Sequence, residues 1–417
     1  MKLPDVGILR ERRFRSLYFA RTFSMLGDGI VPVALAFAVL EVERSATALG
    51  LVLAAQAVTR VGFILVGGVV GDRLPRRLVM VTSDLVRFGT QGATAALLIT
   101  QHAELWHLAA LQATHGAASA FFLPASTGII PELVRRDRLQ EANALVSLTS
   151  SAFSLVGPVV SGTIVATAAP GWAFAVDSGT FLLSASFLLR IGSLGAIAAT
   201  TDSFLAQFRA GWYEVRSRTW LWMDGLFSAL GNAITLAPIF VLGPLVAKES
   251  LAGARSWAAI TALFGAGAIA GSIGALHFKP ERPLFVGWSL LTLFALPPAM
   301  LAIPAPTAII ATGAFLAGIS LNFANTLFET VLQQEVPSNA ISRATSFTWG
   351  LALVLQPIGF AGVGPIADAI GMRATLIGAA AWELIACAIV LSVPGVRDLR
   401  RVRDVELDPN ASVDAML

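Results

Sequence analysis

Asp28, Arg60, His115, Glu329 and Glu383 are ionisable side chains embedded in long apolar stretches of the chain. Residues of this kind offer proton loading and release, ion pairing, or a polar grip on a small molecule. A charge at bilayer depth costs at least ~2.5–3.5 kcal/mol, so each is expected to face a cavity or a partner. Asp28 and Arg60 each fall about ten residues from the same end of consecutive apolar stretches, which puts both roughly 15 Å deep. The expectation is an Asp28–Arg60 ion pair. A carboxylate whose partner or solvent access changes between two states can carry a proton, and Asp28 leads on that ground. A permanent pair fixing the first two stretches is the alternative. Arg60, Glu329 and His115, whose imidazole titrates near neutral pH when unperturbed, complete the proton-coupling candidates. Asn322, Asn325 and Glu329 share one helix face at i, i+3 and i+7, a candidate polar wall. Asp28, Gln112, Asn322, Asn325 and Gln356 are the candidate cavity residues.

Nothing in the chain supports enzyme chemistry. No phosphate-cradling loop or nucleophile elbow is present, and the histidines at 102, 107, 115 and 277 have no metal-ligand spacing. The expected cofactor and metal are therefore none. Cys387 is the only cysteine, which excludes an intrachain disulfide.

The elements that must hold these residues follow from composition. The chain has 417 residues, 56% hydrophobic and only 13% charged, with a mean hydropathy of +0.74. Water-soluble domains carry about 25% charged residues. Apolar stretches of bilayer-crossing length recur near 17–42, 47–70, 79–101, 105–129, 141–166, 171–194, 219–246, 255–277, 284–303, 306–330, 343–366 and 371–394. They are too long and too continuously apolar for a β-barrel. The expected fold is an all-α membrane protein of twelve transmembrane helices in two six-helix halves. The N-terminal segment reads as part of the mature protein, because the first stretch contains Arg21 and Asp28 and lacks a compact cleavable core.

Basic residues orient the spans. Of the 29 lysines and arginines, only Arg44, Lys248, Arg255 and Arg373 fall on one set of alternating connections, and Arg21, Arg60 and Arg87 fall inside spans. All the others lie on the side of the N-terminus. The positive-inside rule makes that side cytoplasmic, with both termini on it and the protein in the plasma (inner) membrane. The pI near 9.5 thus reports topology rather than nucleic-acid binding.

The longest interior polar stretch is 196–218, a cytoplasmic linker. Phe204, Phe208, Trp212 and Val215 recur there at helical spacing, which suits an amphipathic helix on the membrane face. A solvated linker is the alternative, because Gly211 weakens the helix. The chain divides into an N-terminal half (1–195), the linker (196–218), a C-terminal half (219–394) and a cytoplasmic tail (395–417).

The connection Gly68-Val-Val-Gly-Asp72-Arg73-Leu-Pro-Arg76-Arg77, extended by Asp84 and Arg87, resembles the signature between helices two and three of the major facilitator superfamily. The resemblance continues through Pro131-Glu132-Leu133 and Ala142-Asn143-Ala144, and in the second half through Glu329, Gln333, Arg343, Pro357-Ile358-Gly359 and Gly364-Pro-Ile-Ala-Asp368. It points to the drug:proton antiporter branch that includes macrolide efflux and enterobactin exporters. Pro75 replaces a second glycine of the signature, and Gln112 stands where many proton-driven exporters carry arginine. The resemblance implies an inner gate formed by Gly68, Asp72, Arg73, Arg76, Arg77, Asp84 and Arg87. Asp72 would face the N-terminal end of helix eleven, and the arginines would pair with Glu132 and Asp137. It also implies an exporter motif in helix five, Gly157-Pro158 with Gly162, whose usual second glycine is Ser161 here.

The function implied is alternating-access export of an amphipathic small molecule against protons, by a monomer whose partners are that substrate, protons and the lipid bilayer. An importer or lipid-related transporter on the same fold, and a non-transporting sensor or scaffold, remain the rivals.

Overall fold

The computed structural model describes residues 6–135, 138–192, 212–213, 215–278, 280–303, 305–336 and 341–400. Most of the 196–218 linker, Asp137 and residues 401–417 of the tail lie outside the described residues, as do the side chains of Asp72, Arg73 and Arg343 and the surroundings of Gly68.

The long helical runs are α1 (Arg12–Val42), α2 (Ala46–Arg73), α3 (Arg76–Ile99), α4 (Leu105–Gly128), α5 (Leu139–Ala168), α6 (Pro170–Leu189), α7 (Thr219–Ser250), α8 (Ala254–His277), α9 (Pro283–Ala302), α10 (Thr307–Glu335), α11 (Ile341–Val354 continuing as Gln356–Ile370) and α12 (Met372–Ser392). Several run past the hydrocarbon-length stretches of the sequence because polar end turns continue the helix into the connections. α7 contains a π turn at Asn232–Leu236, where Asn232 Nδ2 donates to Ala352 O of α11 at 3.0 Å. α9 contains a 3₁₀ turn at Thr292–Ala295.

Ten helices among the described residues are long and apolar enough to cross a membrane, by length and composition. The two long runs outside that set are α3 and α4. α3 is built inside out: Ser83, Asp84, Arg87, Thr90, Gln91 and Thr94 are buried, whereas Leu78, Leu85, Val86 and Phe88 are exposed. A helix in water buries its apolar stripe instead. The exposed leucine and phenylalanine face of α3 suits a lipid solvent, and its low mean hydropathy comes from side chains turned inward.

The helices sort into two groups. α2 packs on α4 and α3 on α6 in the first group, and α10 packs on α8 and α9 in the second. α5 crosses α8 and α2 crosses α11 to join them. At the end carrying the α1–α2 and α7–α8 connections, buried residues of both groups form one apolar core, including Leu35, Leu49, Val241, Trp257 and Phe360. At the other end, where α1 begins and α12 ends, the described buried residues fall into separate cores. One holds Phe14, Met80, Ile130 and Leu145; another holds Val215, Trp220, Leu332 and Cys387; and a small third holds Ala275, Phe323 and Leu327. The groups therefore meet at one end and part at the other.

Close backbone approach makes the shared end. A Cβ on Gly364 of α11 would lie 2.3 Å from Thr47 Cα, and one on Gly50 of α2 would lie 2.3 Å from Phe360 O. Thr47 Oγ1 also donates to Asp368 Oδ2 at 3.0 Å, and Lys248 Nζ donates to Leu40 O at 2.6 Å.

Candidate functional site

Between the groups lies a cavity of about 520 Å³. α1 lines it with Arg21, Ser24, Met25, Asp28, Gly29 and Pro32; α4 adds Phe122 and Ser126, and α5 adds Phe153, Ser154 and Pro158. The second group supplies a mostly apolar wall, with Phe240 of α7, Trp257 and Phe264 of α8 and Phe294 of α9. Arg21, Ser24 and Asp28 share one face because they stand three and seven residues apart on α1.

Asp28 is the carboxylate of the cavity wall, and its side chain is 49% exposed although it lies midway along α1. That exposure faces the cavity. Its ion pair is with Arg87 of α3, Nη1 to Oδ1 3.6 Å. The expected Asp28–Arg60 pair does not form. Arg60 lies within Coulombic reach of Asp28, but its Nη2 donates to Gln356 Oε1 of α11 at 3.1 Å, a contact between the two groups. Equal depth placed Asp28 and Arg60 at one height; helix azimuth, which depth does not fix, turned them apart.

Arg87 is the hub. Its guanidinium lies between the rings of Phe122 and Phe181, 4.2 and 4.3 Å from their centroids, an arrangement that stabilises a cation electrostatically. It also donates to Asp84, whose other oxygen accepts from Ser184 of α6. Asp84 and Arg87, which the family signature groups with the inner gate, are thus buried inside the first group, beside Asp28.

Below this lies a second polar chain. Gln56 donates to Gln112 at 3.3 Å, Gln112 to Gln91 at 3.1 Å, and Gln91 to Asp177 of α6 at 2.6 Å. Gln112 is fully buried in this chain, so it lines no part of the cavity. Asp177 is fully buried, with Oδ1 unpartnered. The sequence pattern did not single it out, although an aspartate within the 171–194 stretch was the available signal. His115 is buried with Nδ1 unpartnered and its ring 5.8 Å from Phe181; it does not line the cavity.

The remaining candidates separate. Asn322 donates to Gly318 O of its own helix at 3.4 Å, Asn325 and Glu329 are exposed, and none of the three lines the central cavity. Gln356 is buried and is occupied by Arg60. In the α2–α3 connection, Arg76 donates to Gly128 O and pairs with Glu132 at 2.9 Å, both just beyond or at the end of α4, while Arg77 is half-buried. Where α5 crosses α1, Cβ atoms on Gly157 of α5 and Gly29 of α1 would strike each other's helices, at 2.6 Å from Gly29 Cα and 2.8 Å from Phe153 O respectively. A Cβ on Gly162 would lie 2.2 Å from Ala258 Cβ of α8. The motif residues therefore stand at two crossings beside the cavity, with Pro158 in its wall.

The chain is similar to known proteins in sequence and in fold. The multidrug efflux pump Tap of Mycobacterium tuberculosis is 25% identical over 95% of this chain and 96% of its own. Macrolide efflux protein A of Streptococcus pyogenes is 21% identical over 94% of this chain and 97% of its own. The fold is similar to that of a bacterial homologue of the human lysosomal transporter Spinster, a structure solved in an inward-facing, unoccupied conformation, with a TM-score of 0.75 at 13% identity over 95% of this chain and 100% of that one. Residues 17–359 match the profile of the Major Facilitator Superfamily. That span takes in α2 through α10 and most of α1, with the cavity and its Asp28–Arg87 hub, and the chain belongs to the Major Facilitator Superfamily of multi-pass membrane transporters.

Proposed function

We propose that this transporter exports an amphipathic small molecule by alternating access in exchange for protons, with twelve membrane crossings in two six-helix halves and both termini cytoplasmic. One observation carries the proton-coupled reading: Phe122 lines the cavity and also covers Arg87, which pairs with Asp28. A substrate pressing on Phe122 from the inward-facing cavity holds the ring against the guanidinium, so Arg87 stays on Asp28 and the proton of Asp28 leaves to the inside. Release of the substrate on the outside frees the ring, Arg87 loosens, and Asp28 loses part of its counter-charge and takes up a proton from that side. The protonated carrier returns and delivers that proton inside when the next substrate binds, so substrate and proton move in opposite directions. The inside-out pattern of α3 supports counting it as a crossing, and the basic residues at the parted end support an inward-facing state. The proton-coupling role falls to the Asp28–Arg87–Asp84 cluster rather than to His115 or Glu329. Arg76 with Glu132, and Gly68, Asp72 and Arg73 by family signature, serve as the inner gate.

Efflux relatives and the apolar wall support an amphipathic cargo. One proton moving down about 100 mV releases ~2.3 kcal/mol, about a fifty-fold gradient of a neutral molecule. The test is uptake into inverted membrane vesicles with an acidified lumen, using a fluorescent amphipathic dye. Uptake that collapses with nigericin, and that Asp28→Asn abolishes while dye binding persists, is the expected result. Flux indifferent to the pH gradient sinks proton coupling, and flux only out of the lumen sinks export.

A further inference from the structure

Most polar groups of the cavity wall have their needs met locally. Asp28 pairs with Arg87, and the hydroxyls of Ser126, Ser154 and Thr261 donate to carbonyls within their own helices. Arg21 and Ser24 differ. Arg21 is 9% exposed, and among the described residues its guanidinium makes one long hydrogen bond, 3.4 Å to Ser126 O. Its Nε has no partner, and no carboxylate among the described residues pairs with it or offsets its charge. Ser24 Oγ, one turn further along the same face, is also buried and unpartnered. A guanidinium brings five donors in a planar fork suited to a carboxylate. Leaving it buried without a counter-ion is costly, and a ligand that supplies the missing charge recovers that cost.

We infer that Arg21, with Ser24 beside it, is the anchor for an acidic group on the substrate, so that the cargo is an amphipathic organic anion with a broad aromatic or aliphatic body. The body lies against Phe240, Trp257, Phe264 and Phe294, and the acid faces α1. Arg21 stands seven residues before Asp28, about 10 Å along the helix, so anchor and proton site are separate on one wall. This assignment rests on the export reading above and adds the charge of the cargo to it.

The experiment uses the full-length protein in nanodiscs with three probes of one shape: pyrenebutyrate, its neutral amide, and the matching pyrenebutyl trimethylammonium cation. Binding is read as energy transfer from tryptophan to pyrene. The expected result is that the anion binds about ten-fold or more tightly than the amide, as one charge-assisted contact supplies. Arg21→Gln removes that preference and leaves the amide affinity unchanged, which also reports an intact fold; Arg21→Lys keeps part of it. Equal binding of anion and amide, preference for the cation, binding of none of the three, or an anion preference that survives Arg21→Gln overturns the assignment. If Arg21→Gln does not fold, the three-probe comparison on the unaltered protein and Arg21→Lys decides. An anion that binds but shows no flux under a pH gradient faults the export reading alone, whereas pumped cation with ignored anion faults the anchor alone.

Discussion

Arg87 holds two carboxylates with one guanidinium between two aromatic rings, and its removal strands Asp84 with only Ser184 as a partner. Breaking a buried pair from one side costs about 3–5 kcal/mol. Arg87→Gln is expected to lower the unfolding midpoint sharply in detergent. Adding Asp84→Asn should restore much of the loss, and a double-mutant cycle that shows simple additivity would contradict the pairing. Asp28, Arg60 and Arg87 were all visible in the sequence as charges out of place in apolar stretches. Their pairing was not, because position along a helix gives height, whereas the choice between Arg60 and Arg87 depends on rotation of α2 and α3 about their axes. Asp177 and Gln91 stayed hidden for a related reason: glutamine is cheap enough in a membrane helix to pass unnoticed until a carboxylate is found against it.

α3 shows how much of an element hydropathy can miss. Its buried face is polar, so averaging over the helix hides a lipid-suited face that the stretch 79–101 had nevertheless suggested. Leu85→Lys tests that directly. If the exposed side meets hydrocarbon, the substitution costs ~2.5–3.5 kcal/mol near mid-depth, read as loss of membrane-inserted protein; a surface in water would tolerate it. The α1–α5 crossing makes a second prediction. Gly157→Ala forces Cβ against Gly29 and is expected to destabilise by about 1–3 kcal/mol through overpacking. Gly62→Ala, with open space around its Cβ position, should be neutral or slightly stabilising in the same melting assay. The Gly157-Pro158 pair was legible from its family resemblance, but the partner helix was not, since one sequence carries no record of which small residues face each other.

For the whole molecule, the 196–218 break and the basic residues suggest a division into two halves, while the state of the cavity has no signal in the sequence. The shared core at the α1–α2 end and the divided cores at the other are properties of packing between distant segments. Cysteines replacing Thr47 and Asp368 should couple through a short bifunctional reagent and stop transport, with recovery when a cleavable linker is cut. Cys387 is fully buried and leaves that background clean. Unimpaired flux in the linked protein would mean that this end does not open. If the proposed alternating-access cycle opens this end, the glycine seam between α2 and α11 also sets its thermal behaviour. Backbones in contact leave no room for water, so opening that end hydrates apolar surface that was dry, with the positive heat capacity that such exposure brings. The step that uncovers the seam is therefore expected to give a curved temperature dependence, and its apparent activation enthalpy should rise steadily on warming.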